Sequence, residues 1–142
     1  MGLKLILEGN GMPKGKILVV DDEEDVRETF RLQLEAENYN VIEAGDGEEA
    51  INILKSGDNL TNCGLILCDI RMPKVNGIEY IDYLKKEAPG IPIVVITGYP
   101  DTEMAVALLN KGVDGYLVKP VDSERLMKLV NKLVAKGKNL NF

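Results

Sequence analysis

The chain has 142 residues, of which 17 are lysine or arginine and 23 are aspartate or glutamate, so its net charge is −6. This length suits a single domain with its own core, and the acidic balance argues against direct nucleic-acid binding by this domain. The chain contains no histidine, which excludes histidine-based acid–base catalysis and metal ligation, and no apolar run approaches the roughly 20 residues that cross a bilayer.

The predicted elements begin after an N-terminal extension. Residues 1–14 fit no regular pattern well and are expected to be flexible; a stray edge strand, suggested by alternating leucines, is the alternative. Five short runs rich in valine, isoleucine and leucine follow, each of about strand length. They are KILVV (16–20), NVIEA (40–44), LILCD (65–69), IPIVVIT (91–97) and GYLVK (115–119).

Segments with helical spacing separate or follow these runs. The first segment carries an apolar stripe at every fourth residue, formed by Val26, Phe30 and Leu34. The last carries one continuous apolar face, formed by Leu126, Leu129, Val130, Leu133 and Val134. In the fourth segment we expect a core stripe of Ala105, Leu108 and Leu109. The same segment would then present a surface of Met104, Val106 and Ala107.

Strands that alternate with helices predict βαβ units and a mostly parallel sheet. The strand runs are almost continuously apolar, as expected when helices cover both faces of the sheet. We therefore predict an α/β fold, a doubly wound (βα)5 sandwich around a five-stranded parallel sheet. The domain is expected to span residues 15–136, and the polar tail 137–142 is expected to fray.

Polar side chains stand at the ends of four predicted strands, where doubly wound sheets bind ligands. Asp21 and Asp22 follow the first strand, Asp69 ends the third, Thr97 the fourth and Lys119 the fifth. Each residue also has a simpler interpretation. The two acids after the first strand could cap a helix, and Asp69 could be a turn residue. Thr97 could merely end its strand, and Lys119 could be a surface lysine. Their joint occurrence at one edge favours a functional site.

The chemistry of this set points to phosphate and a cation. Clustered carboxylates repel one another unless they are protonated or bound to a cation, and an all-oxygen site without histidine or thiolate suits Mg²⁺. A carboxylate beside Mg²⁺ can act as a nucleophile and form an aspartyl-phosphate. Lys119 can pair with the charge of that phosphoryl group, and the hydroxyl of Thr97 can donate to it.

Four motifs carry a family resemblance: LVVDDEEDV, LILCDIRMPKVNG, VVITGY and GYLVKPV. In this order, over residues 15 to about 136, they resemble the CheY-like receiver domains of response regulators in two-component signal transduction. The resemblance implies the flavodoxin-like strand order 2-1-3-4-5. It also implies a phosphorylation-activated switch rather than an enzyme, with only intrinsic phosphotransfer and autodephosphorylation chemistry.

The resemblance assigns roles to the matching residues. Asp69 would be the phospho-acceptor, and Mg²⁺ would be held by Asp21, Asp22, Asp69 and the backbone carbonyl of Arg71. Thr97 and Lys119 would bind the phosphoryl group. In this family the peptide bond before the residue matching Pro120 is typically cis, which would aim the lysine into the site.

The resemblance also implies a switch and its partners. Thr97 and Tyr116 would move together and change the surface of the fourth helix, fifth strand and fifth helix, where an unknown output partner or a second copy would bind. The phosphoryl group would come from a sensor histidine kinase or a histidine phosphotransfer protein. Cys63 and Cys68 are expected to be reduced core thiols, which fits a cytoplasmic protein.

Two alternatives remain open at this point. A Mg²⁺-dependent phosphatase of the haloacid-dehalogenase type also combines aspartate, threonine and lysine, but it would want a second acid two residues after the nucleophile, where this chain has Arg71. The other alternative is a receiver-like interaction module that is not phosphorylated. The intact acids, threonine and lysine argue against this alternative. Whether the receiver acts alone or within a larger regulator or hybrid kinase is left open.

Overall fold

A computed structural model of the protein describes residues 13–70 and 77–139. Within these ranges one sheet is formed by β1 (Lys16–Val20), β2 (Asn40–Ala44), β3 (Cys63–Asp69), β4 (Ile93–Thr97) and β5 (Gly115–Val118). The longer helices are α1 (Glu24–Ala36), α2 (Gly47–Leu54), α3 (Gly77–Glu87), α4 (Thr102–Asn110) and α5 (Ser123–Asn139). A single helical turn, Asn59–Asn62, precedes β3.

The sheet has the order β2-β1-β3-β4-β5, and every neighbouring pair is parallel. This confirms the predicted doubly wound α/β fold and its strand order. The strand order reverses between β1 and β3, which is where such sheets bind ligands. Val20 pairs with Cys68 across these two strands, so the residues that follow them, Asp21 and Asp69, meet side by side at that point.

Helices cover both faces of the sheet, which explains the continuous apolar strands. Ile17 and Val19 on β1 pack in the core beneath α1 and α5. Leu18 and Val20, which alternate with them, pack in the opposite core beneath α2, α3 and α4. All four side chains are at most 2% exposed, because successive residues of a strand point to opposite faces.

The core stripe of α4 was predicted correctly only in part. Leu108 is fully buried, but Leu109 is 51% exposed, and Met104 packs against the core instead. Met104 and Leu108 lie four residues apart on one side of the helix, so this line faces the sheet and Leu109 turns away from it.

Cys63 and Cys68 are free, buried thiols, as expected.

The chain termini differ from the predicted limits in detail. Lys14, in the predicted extension, donates its main-chain N–H to the carbonyl of Asn38 at 2.8 Å. At the other end α5 continues to Asn139, into the predicted tail. The expectations for residues 1–12 and 140–142 lie outside the described residues. No helix in the described ranges has the length and apolar character needed to cross a membrane.

Candidate functional site

The carboxyl edge of the sheet brings three of the predicted side chains into direct proximity. The Nζ of Lys119, just after β5, donates to the Oδ2 of Asp69. The same Nζ lies 4.0 Å from the Oδ2 of Asp21. The side chains of Asp21 and Asp69 are 1% and 4% exposed, respectively, and that of Lys119 is 29% exposed. Two buried acids therefore share one partly buried cation.

Asp21 is held by the surrounding chain at every polar atom but one. Its N–H donates to the carbonyl of Ala44 at 3.1 Å, and its carbonyl accepts from the Nη1 of Arg27 at 2.6 Å. Its Oδ1 accepts from the N–H of Glu23 at 2.8 Å. Its Oδ2 is buried and accepts no hydrogen bond. An unsatisfied buried carboxylate oxygen is costly, so at this position it indicates a place for a proton or a cation.

The electrostatics of Asp21 agree with that geometry. Burial, followed by the neighbouring Asp69 carboxylate, raises the pKa of Asp21 to about 8. Lys119 opposes this rise, and Asp22 adds a smaller repulsive contribution. The raised pKa means that the folded protein disfavours a bare negative charge here. A bound divalent cation would relieve the same repulsion.

Three consecutive acids form a compact group at the end of β1. Asp21, Asp22 and Glu23 each offer a carboxylate oxygen, and these atoms lie within 4.8 Å of one another. Glu23 was not singled out from the sequence, although the unbroken acidic run from Asp21 to Asp25 was a signal for it. Glu23 is also the N-cap residue of α1, so the interpretation of Asp21 and Asp22 as caps of that helix is wrong.

Thr97 lies at the same edge, but its hydroxyl is engaged locally. The side chain is 2% exposed, and its Oγ1 accepts from the N–H of Tyr99 at 3.0 Å. A cavity of about 310 Å³ beside it is lined by Asp69, Gly98, Tyr99 and Lys119. Space for a phosphoryl group is therefore available next to Asp69 and Lys119, and Thr97 is not among the residues that line it.

Tyr116 stands on β5 beside the start of α4. Its ring is half-buried and packs against the core, and its hydroxyl lies 3.5 Å from the N–H of Asp101, at the outer limit for a hydrogen bond. Asp101 in turn caps α4 by accepting from the N–H of Met104 at 3.1 Å. Apolar side chains on this side of the molecule are exposed: Val106, Leu109 and Val118.

Besides Glu23, two further residues near the site were not expected from the sequence. Arg27 contacts the main chain of Asp21. Tyr80 on α3 lines a cavity of about 240 Å³ together with Asp21, Asp22 and Asp69, and burial raises the pKa of its phenol. Neither residue belongs to one of the four motifs that carry the resemblance.

The proposed metal ligand Arg71 lies outside the described residues. The Lys119–Pro120 peptide bond is cis, as the resemblance implied.

Comparison with known proteins decides the family. A family model described as the response regulator receiver domain matches residues 17–131. The chain belongs to this family. The probable transcriptional regulator ycf27 of Porphyridium aerugineum is 37% identical over 115 residues, which are 81% of this chain and 46% of that protein. A receiver domain protein from Clostridium thermocellum has a crystal structure that matches with a TM-score of 0.79 and 28% identity, over 89% of this chain and 98% of that one.

Membership in the family carries general properties. Receiver domains of two-component response regulators are switches activated by phosphorylation rather than classical enzymes, and they interact with histidine kinases and output domains. They bind Mg²⁺ at an acidic pocket, and this chain has an acidic cluster at the end of β1. A cyclic di-GMP phosphodiesterase of Thermotoga maritima is also a relative, 32% identical over 82% of this chain but only 30% of that protein. The chain spans about half or less of these two named relatives.

Proposed function

We propose that this receiver accepts a phosphoryl group on Asp69 and passes the change to the surface formed by α4, β5 and α5. The observation that carries the proposal is the ion pair of Lys119 with Asp69, beside the unsatisfied Oδ2 of Asp21. On the basis of the family, the donor would be a phosphohistidine of a sensor histidine kinase or a histidine phosphotransfer protein. That phosphohistidine must belong to another molecule, because this chain contains no histidine.

The chemistry is a transfer between two nucleophiles. A carboxylate oxygen of Asp69 attacks the phosphorus, the P–N bond of the donor breaks, and its electron pair returns to the donor imidazole. The product is an acyl phosphate on Asp69. Lys119 then exchanges part of its pairing with the carboxylate for pairing with a phosphoryl oxygen. Catalysis of this kind consists mainly of positioning and charge neutralisation.

The acids at the end of β1 fit Mg²⁺. Asp21 has a buried oxygen without a hydrogen bond, and the site offers oxygen ligands alone, which is the donor set that Mg²⁺ prefers. We propose Asp21, Asp22 and Asp69 as ligands, with the carbonyl of Arg71 as a fourth on the basis of the resemblance. When bound, Mg²⁺ would neutralise charge on the acids and on the incoming phosphoryl group.

The switch would start at Thr97. The Oγ1 of Thr97 donates to the carbonyl of Tyr99 at 3.4 Å. To donate to a phosphoryl oxygen instead, the hydroxyl must give up this contact, and this movement would free room for Tyr116 to turn inward. Tyr116 would then lose its contact with Asp101 at the start of α4. The exposed apolar side chains on α4 and β5 suit a partner surface, for an output protein or for a second copy of this chain.

The proposal extends to the limits and location of the domain. Residues 15–136 would form the receiver, preceded by the extension 1–14 and followed by the tail 137–142, of which the first residues continue α5. The buried free thiols of Cys63 and Cys68 suit a reducing compartment, and we propose a cytoplasmic location.

The direct test is phosphorylation by a small donor. The wild type, mixed with acetyl phosphate and Mg²⁺, should gain one phosphoryl group by intact mass, and Asp69→Asn should gain none. Asp82→Asn is the matched control, because that exposed acid pairs only with Lys111 at 3.3 Å in the described structure. Stoichiometric acid-labile phosphate on Asp69→Asn would overturn the assignment. Sustained turnover of a phosphate monoester would favour the phosphatase alternative.

A further inference from the structure

We propose that Arg27 is a positioning residue for divalent-cation binding, acting through the main chain of Asp21. The inference rests on the proposed function, because it takes the acids at the end of β1 as the cation site. The hydrogen bonds of Arg27 go to the main-chain carbonyl of Asp21 and to Glu43, not to the carboxylate of Asp21. It would act by holding the turn that carries them.

Arg27 joins three elements of the fold. It belongs to α1, its Nη1 donates to the carbonyl of Asp21 at 2.6 Å, and its Nε donates to the Oε1 of Glu43 on β2 at 3.1 Å. Its side chain is 18% exposed. Hydrogen bonds from a charged donor are roughly twice as strong as neutral ones, so this connection is stronger than an ordinary loop contact.

The position of the accepting carbonyl explains the effect. It belongs to the peptide unit between Asp21 and Asp22, and a peptide unit is rigid and planar. Holding its oxygen therefore restricts the orientation of the whole peptide unit. It thereby also restricts the directions in which the side chains of Asp21 and Asp22 project from the main chain. Ligands that are oriented before the cation arrives lose less conformational freedom on binding, so affinity rises.

The other contacts of Asp21 cannot replace this one. Its N–H is held by Ala44 on β2, which fixes the strand before the turn. Its Oδ1 is held by the N–H of Glu23, which fixes the side chain. Arg27 holds the carbonyl of the peptide that leads to Asp22.

A neighbouring arginine provides a matched control. Arg31, one turn further along α1, pairs through its Nε with the Oε2 of the same Glu43 at 3.0 Å. Its other ion pairs are with Glu28 and Glu35 on its own helix. Removing Arg31 therefore disturbs the link between α1 and β2 without touching Asp21, whereas removing Arg27 disturbs both.

The experiment compares cation affinity with stability. Mn²⁺ binding is followed by electron paramagnetic resonance of the free ion, and Mg²⁺ by competition, for wild type, Arg27→Ala, Arg27→Lys and Arg31→Ala. We expect Arg27→Ala to weaken binding about tenfold, the usual scale for losing a group that orients a ligand. Arg27→Lys, which keeps a charged donor, should recover part of that loss. Arg31→Ala should stay within about twofold of wild type, because the ion pairs of Arg31 in the described structure are with Glu28, Glu35 and Glu43 and do not involve Asp21. Thermal melting in EDTA reports the stability of each variant.

The outcomes separate this inference from the proposed function. Unchanged affinity in Arg27→Ala, with or without a lower melting temperature, overturns the positioning role alone. Equal losses in Arg27→Ala and Arg31→Ala also overturn it, because the effect would then come from the attachment of α1 to β2. If Arg27→Ala does not fold, Arg27→Gln and Arg27→Lys give the same comparison. A wild type that binds neither Mn²⁺ nor Mg²⁺ overturns the cation site and this inference together.

Discussion

The two ends of the same five strands use polar side chains in opposite ways. At the amino edge they complete hydrogen bonds: the Nζ of Lys16 donates to the Oδ1 of Asn59 at 2.8 Å, and the Oδ2 of Asp114 accepts from the N–H of Ile93 at 2.9 Å. Each of these pairs satisfies a group at the start of a strand or beside it. The amino edge is therefore a region in which polar residues stabilise the fold.

At the carboxyl edge, polar groups are buried without full compensation. Asp21 and Asp69 share Lys119, and the Oδ2 of Asp21 accepts no hydrogen bond. Evolution tolerates such costs where a group serves function rather than stability. The difference teaches that, in this fold, the same residue types stabilise at one edge and destabilise at the other. Substitutions at the two edges should then have opposite consequences, as follows.

The largest effect is expected for the lysine at the carboxyl edge. Lys119→Ala removes the cation paired with Asp69, and we expect the rate of phosphorylation by a small donor to fall about 100-fold, the scale seen when one charge-stabilising donor is lost. Lys16→Ala, at the amino edge, should leave that rate unchanged and lower the melting temperature. Initial rates of phosphorylation, followed by intact mass, decide this. Similar rate losses in both variants would remove the distinction between the edges.

The second prediction concerns the stability of the metal-free protein. Asp21→Asn replaces a carboxyl that must be protonated on folding with a neutral amide, and in EDTA near pH 7.5 we expect the free energy of unfolding to rise by about 1–3 kcal/mol, the scale of an unsatisfied buried group. The pKa of Asp21 is raised from 3.8 to about 8 in the folded protein, so its protonated form favours folding. That contribution is complete below about pH 4 and is lost as the pH rises through about 8.

The measurement is urea unfolding of both proteins across this pH range. The advantage of Asp21→Asn should be small near pH 4 and should grow toward pH 8. Millimolar Mg²⁺ should stabilise the wild type more than the variant, since a ligand of the folded state raises its stability. If the difference in the free energy of unfolding between the two proteins does not change with pH, the carboxylate of Asp21 does not destabilise the folded protein electrostatically.

The smallest effect is expected at the amino edge. The hydroxyl of Tyr39, between α1 and β2, donates to the Oδ1 of Asn131 on α5, and the tyrosine is 4% exposed. Tyr39→Phe keeps the ring and removes this bond, so we expect a loss of about 1 kcal/mol in the free energy of unfolding. Phosphorylation rate and Mg²⁺ affinity should not change. A loss of phosphorylation in this variant would mean that the two edges are coupled.

Much of the fold could be predicted because strand and helix patterns are local. The runs ending at Val20, Ala44 and Thr97 were predicted with their ends as the structure has them, since an apolar run stops where the buried strand stops. The orientation of α4 could not be predicted in this way. Met104 and Leu109 are both apolar, and only the position of the helix on the sheet decides which one is buried.

The sequence by itself determined the family, the alternation of strands and helices, and which polar residues end the strands. From these it follows that Asp21 and Asp69 meet at one edge, because adjacent parallel strands bring their carboxyl ends together. Their roles in phosphorylation and metal binding stay predictions.

Only the tertiary structure decided which polar atoms at that edge are satisfied. The Oδ2 of Asp21 is left without a hydrogen bond, Thr97 is turned toward Tyr99, and Arg27 reaches the main chain of Asp21 from α1. Whether a hydrogen bond forms depends on differences of a few tenths of an ångström in the distance between two atoms. No local pattern encodes those distances, because they arise when the two layers of helices pack onto the sheet.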